Sequence, residues 1–131
     1  MSDQGDAAAT CRCTSEEAVQ ISKHGVDLTI YTPPNPSATV ARVQVERGHF
    51  QEFYNTRSTY VYYIVSGRGM FYVDGVPHSV EASDVITVVP RSTVYYLGSM
   101  EMVLTVAPAF DERDEHHVRF VSENGPATGE Q

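Results

Sequence analysis

The stretch GHFQEFYNTRSTYVYYIVSG, residues 48 to 67, crowds Glu52, Tyr54, Thr56, Arg57, Tyr60 and Tyr62 into one short run. A phenol with a reference pKa of about 10 is a neutral proton donor near pH 7, whereas a carboxylate is a base. Positioned together on a bound organic molecule, such groups accelerate proton transfer by roughly 10²- to 10⁴-fold. Glu52 lies two residues before Tyr54, hence on its face of an extended strand, and Arg57 can pair with Glu52 or with a carboxylate on a ligand. Tyr95 offers a further phenol, and Met102 and Leu104 an apolar wall. The other chemistry on offer is metal binding by His49, His78, His116 and His117, with Glu52 near the first. His49 and Glu52 face opposite sides of a strand, however, and adjacent His116 and His117 diverge if extended.

These groups must be placed by strands. From Asp27 onward the chain alternates short runs rich in Val, Ile, Tyr and Thr with turn residues: DLTIY, ATVARVQVE, FQEFY, TYVYYIV, GMFYVDG, VPHSV, DVITVVP, TVYYLG, MEMVLTVAP and HVRFV. That rhythm predicts an all-β sandwich or barrel. Asp74-Gly75 is the best hairpin turn, since both positions accept φ > 0. Thr14-Ser15-Glu16-Glu17 has capping-box spacing and predicts a short helix through Val19 or Ile21. Residues 1–13 read as a disordered leader, 14–121 as one domain with its barrel core at about 28–107, and 122–131 as a loose tail.

Composition narrows the partners. Seventeen acidic against nine basic residues give a net charge of −8, which argues against nucleic acid or an anionic membrane, because phosphate binding rests on clustered Lys and Arg. No run approaches the ~20 apolar residues of a membrane helix, and the N-terminus lacks a basic region followed by an apolar one, so the cytoplasm is the expected compartment. Cys11 and Cys13 have no further cysteine with which to build a metal clip.

Two motifs resemble those of the cupins, small double-sheet jelly-roll barrels. The first cupin motif runs from a glycine through His-x-His and Glu to a second glycine; Gly48 and Gly67 fit the glycines, and the ligand positions fall on Tyr54, Thr56 and Tyr60. Longer spacing would put the second histidine position on Asn55. The second motif resembles Ser83 to Tyr95, with one extra residue before Pro90, Ser92 for a glycine and Tyr95 for the last histidine. The resemblance implies the cupin fold over residues 28–107. All four ligand positions are changed, and imidazole and carboxylate are what a cupin metal wants; no metal and no other cofactor are therefore expected at the usual site.

If Tyr60 points inward as the cupin Glu does, Tyr62 and Ile64 follow, while Val61, Tyr63 and Val65 face out. An inward Tyr95 brings Thr93 and Leu97 and turns Tyr96 outward. The expected pocket is then Tyr54, Thr56, Tyr60, Tyr62, Tyr95, Met102 and Leu104, suited to a small organic ligand, with Tyr60 or Tyr95 as acid and Glu52 or a histidine as base. By analogy with metal-free cupins the expected function is an isomerase, epimerase, cyclase or dehydratase acting on a small metabolite. A non-catalytic binding module and a metal-dependent oxygenase or lyase with displaced ligands are the alternatives. The outward stripe Val61, Tyr63 and Val65 is too apolar for open water and predicts either a cover from the segment Val26 to Tyr31 or a homodimer.

Overall fold

The computed structural model describes residues 10–31, 36–123 and 125–126. Among these residues ten strands run β1 (Val19–Lys23), β2 (Val26–Tyr31), β3 (Thr39–Val45), β4 (Gly48–Asn55), β5 (Thr59–Val73), β6 (Val76–Glu81), β7 (Val85–Val88), β8 (Val94–Ala107), β9 (Glu115–Ser122) and β10 (Gly125–Pro126). One antiparallel sheet takes them in the order β1-β2-β3-β8-β4-β9-β10, and β5 lies along β8 with β6 and β7 on its far side. The all-β cupin architecture expected from the motifs is what the chain adopts.

Two long strands build the barrel. The first half of β5 pairs with the second half of β8 and with β7; its second half pairs with the first half of β8 and with β6. β3 joins the second half of β8 and β4 the first half, so each long strand serves both leaves of the jelly roll. In the sequence the apolar runs break at Ser66-Gly67 and at Gly98, which predicts two separate strands in each place. The structure corrects this: both sites are bends within continuous strands. A bulge lies between Ile64 and Ser66, and Gly98, at φ +129°, sits opposite Gly69 so closely that a Cβ there would stand 2.6 Å from the Arg68 carbonyl oxygen. Glycine is required at that bend because only it tolerates both the φ and the approach.

The bulge inserts one residue, and the inward face of β5 passes from Tyr60, Tyr62 and Ile64 to Phe71. These side chains, with Val43, Phe53, Val94, Tyr96, Met100, Met102 and Val106, form the core. The Asp74-Gly75 turn is present with both φ values positive. At the N-terminus, Thr14 N–H donates to Glu17 Oε1 at 2.8 Å, but the expected helix is only a 3-10 turn over Ser15–Glu17, after which β1 begins. Tertiary pairing overrides the local signal: Val19 to Lys23 have β2 to pair with, through a turn at His24-Gly25 with positive φ at both residues.

The sheet therefore extends past the expected core of 28–107 at both ends. Of the expected leader, residues 1–9 lie outside the described residues and residues 10–13 carry no regular secondary structure. Of the expected loose tail, Gly125 and Pro126 pair with Ser122 and Val121, and residues 127–131 lie outside. The segment Val26 to Tyr31 does not cover the outward stripe: it pairs with β3 and turns Val26, Leu28 and Ile30 into the barrel cavity. Tyr63 and Val65 stay exposed.

Candidate active site

A cavity of about 320 Å³ opens inside the barrel, lined from β1, β2, β3, β4, β5, β8 and the start of β9. Its floor is aromatic. Tyr62, Phe71 and Tyr96 pack ring against ring, Phe53 leans on Tyr60, and His49 sits between Phe53 and Tyr96 with ring centroids 5.1 and 5.2 Å away. Alternation places them: His49 and Phe53 share the inward face of β4, Tyr60 and Tyr62 that of β5, and Tyr96, Leu104 and Val106 that of β8.

His49 is 5% exposed. Its Nδ1 lies 2.7 Å from the Gln51 carbonyl oxygen; a carbonyl only accepts, so Nδ1 carries the hydrogen and Nε2 keeps its lone pair. Burial above all lowers its pKa from the ordinary 6.5 to about 4, with the nearby charges of His24 and Lys23 assisting. The imidazole is neutral at pH 7. Among the described residues Nε2 has no hydrogen-bond partner and no fully enclosed side-chain nitrogen or oxygen lacks one, so this nitrogen is open to the cavity. The same holds for the hydroxyls of Tyr62 and Tyr96, which line the cavity without a hydrogen bond and whose pKa burial pushes up. One base and two hydroxyl donors thus face the cavity unsatisfied.

The polar side of the cavity is tied internally. Asn55 closes the β4–β5 turn, its Oδ1 accepting from the Arg57 and Ser58 N–H groups at 2.8 and 2.7 Å. That fixes its amide to donate to Tyr60 Oη at 3.3 Å. Tyr60 in turn donates to Glu115 Oε2 at 2.7 Å, and Lys23 Nζ stands 3.9 Å from Glu115 Oε1. Burial, reinforced by the Glu115 charge, holds the Tyr60 phenol far above its ordinary pKa.

Of the residues singled out from sequence, Tyr60, Tyr62 and Leu104 line this cavity and Met102 is buried beside it in the core. Tyr95, Glu52, Tyr54, Thr56 and Arg57 do not line it. Tyr95 stacks on Tyr72 with centroids 4.6 Å apart, Glu52 accepts from Arg119 Nε at 2.7 Å, and Tyr54 stacks on His116. Thr56 donates to the Asp114 carbonyl and Arg57 lies 3.9 Å from the Asp114 carboxylate. The face assigned to Tyr95 belongs to Tyr96. The extra residue before Pro90 was the available signal, because a slip of one residue exchanges the two faces of a strand. Glu115, Lys23 and Phe110 gave no signal, since the acidic segment after Phe110 reads as surface.

The cupin metal does not fit here. On the inward faces of β4, β5 and β8 the donor positions hold Phe53, Asn55, Tyr60 and Tyr96: a hydrocarbon ring, an amide committed to Tyr60, and two protonated phenols. Among the described residues no three His, Cys, Asp or Glu side chains gather as a metal site.

Fold and site together define the cupin fold, which a solved RmlC-like cupin shares, and the chain belongs to the family of Pac13. It is 57% identical to Pac13, a nucleoside dehydratase, over 91% of this chain and 100% of that one, with a TM-score of 0.85. Streptomyces Pac13 variants with a single His-to-Gln or Tyr-to-Phe substitution, each holding uridine, match at 56% identity and TM-scores of 0.85 to 0.86. An RmlC-like cupin from Shewanella frigidimarina, 18% identical over 80% of this chain and 96% of that one, with a TM-score of 0.66, shares the fold. An ectoine synthase from P. lautus does so as well, at 15% identity over 91% and 97% and a TM-score of 0.67. No protein-family model and no curated protein matches the chain.

Proposed function

We propose that this chain is a nucleoside dehydratase that binds a uridine-type nucleoside in the barrel cavity and removes water from its sugar. The observation that carries the reading is one of spacing. The positions substituted in the uridine-bound Pac13 variants are a histidine, a tyrosine thirteen residues later and a tyrosine thirty-four residues beyond that. His49, Tyr62 and Tyr96 stand at the same spacing, and all three are buried residues that line the cavity.

His49 Nε2 takes a proton from a sugar carbon. The C–H electron pair becomes the new C=C bond, and the hydroxyl on the neighbouring carbon leaves. A buried imidazolium with a pKa of about 4 is a strong acid, so it returns its proton to the departing oxygen and water is released. Tyr62 and Tyr96, protonated throughout, donate hydrogen bonds to substrate oxygens. Tyr60 is committed to Glu115 and orients that carboxylate. An imidazole of this basicity abstracts only an acidified proton, so the substrate is a nucleoside whose sugar bears a carbonyl beside the reacting carbon.

The test pairs binding with turnover. Parent and His49→Gln proteins are titrated with uridine and incubated with uridine derivatives oxidised at a sugar carbon, loss of water being followed by mass. The variant should bind uridine within a few-fold of the parent and lose roughly 10²- to 10⁴-fold in rate. A parent that neither binds uridine nor dehydrates any of these nucleosides would sink the reading.

A further inference from the structure

The lining of the cavity grades from closed to open. His49, Tyr62, Tyr96, Val106 and Ala41 are all buried, whereas Ile21 is 39% and Phe110 40% exposed, and Glu112 is exposed beside them. The general base therefore sits at the closed end and Phe110 at the mouth. If the reacting atoms belong to the sugar, as the proposed function requires, the sugar lies at the closed end against His49 and the base of the nucleoside is left toward the mouth.

Phe110 differs from the other aromatic rings of the cavity. His49, Phe53, Tyr60, Tyr62 and Tyr96 each have ring partners within 4.6 to 6.4 Å. Among the described residues Phe110 has none, so no other aromatic ring stacks on it. Its backbone is nevertheless fixed: Phe110 N–H donates to Thr39 Oγ1 at 2.9 Å and the preceding Ala109 N–H to the Pro36 carbonyl at 3.0 Å. A ring held in place by its backbone, half open to solvent and turned to the cavity, suits a flat π-system. Nucleobases stack on such rings with little regard to sequence, because every base has a π-face.

We infer that Phe110 is the stacking platform for the nucleobase, a specificity-determining residue that fixes which end of the nucleoside enters first. This rests on the nucleoside reading above. Phe110 makes no contact with the reacting atoms and acts on binding and orientation.

The experiment compares uridine with 5,6-dihydrouridine, which keeps the hydrogen-bonding edge of the base but not its flat π-system, on parent, Phe110→Ala and Phe110→Tyr proteins by calorimetric titration. In the parent, dihydrouridine should bind more weakly than uridine. Phe110→Ala should weaken uridine by roughly 5- to 150-fold and abolish the difference between the two ligands, while Phe110→Tyr keeps both the affinity and the difference. Thermal melting of the Phe110→Ala protein should fall by only a few degrees, since the ring lies at the exposed mouth and outside the buried core. A parent that binds uridine and a Phe110→Ala protein that binds it equally well would overturn the platform and leave the dehydratase reading standing. A parent that does not bind uridine overturns the platform, and one that also dehydrates none of the oxidised nucleosides overturns both.

Discussion

At the residue scale, His49 decides the pH behaviour. Its folded pKa of about 4 lies below the ordinary 6.5 because burial disfavours the charged ring. Between these values the unfolded chain binds a proton that the folded chain does not, so stability is fully present above about pH 6.5 and is lost as pH falls toward 4. The linked change is about 3 kcal/mol. Urea midpoints at pH 7 and pH 4.5 should differ more for the parent than for His49→Gln, which has no such proton; equal differences would mean that His49 is not the buried neutral base described. This scale was also where the sequence was least legible. The inward set of β5 was readable, since Tyr60, Tyr62 and Ile64 follow from alternation alone. That of β8 was not, because one extra residue before Pro90 exchanges Tyr95 for Tyr96. His49 was visible as a histidine but not as a cavity group, because the motif alignment makes Tyr54 the inward residue of β4, whereas Phe53, on the face of His49, lines the cavity.

At the scale of elements, turn residues marked the strands well, yet the glycines at 67 and 98 read as ends when they are bends. A glycine that terminates a strand and one that lets it fold over both interrupt an apolar run, and only the pairing partner separates them. Gly98 therefore carries a cost that can be measured. An alanine there meets the backbone of Arg68 and Gly69 at a φ of +129°, whereas an alanine at Gly75, φ +81°, has open space around it. Backbone strain alone should cost each about 1–3 kcal/mol, and the clash at Gly98 adds to that, so Gly98→Ala should be the more destabilising in urea titrations. An equal loss at both positions would show that β5 and β8 approach less closely at the bend than described.

At the scale of the whole molecule, the sheet curls so that its two ends meet across the cavity without backbone pairing between β1 and β9. What joins them is light. Lys23 and Glu115 form an ion pair at 3.9 Å, partly exposed on both sides, and such pairs contribute at most about 1 kcal/mol. The ring of His24 stands 6.0 Å from that of Phe120. β1 itself is an edge strand whose five residues are all exposed, its backbone paired among the described residues with β2 alone, so it belongs to the least stable part of the structure. Yet Ile21 and Lys23 form part of the cavity wall. A ligand that fills the cavity adds contacts to the wall that has fewest, and linkage requires that it stabilise the closed arrangement in proportion. Uridine should therefore slow amide hydrogen exchange in Val19–Lys23 and at the start of β9 by more than in β6 and β7, which line no part of the cavity. Protection spread evenly over the sheet, or confined to β6 and β7, would place the ligand elsewhere and remove the barrel interior as the site of the chemistry.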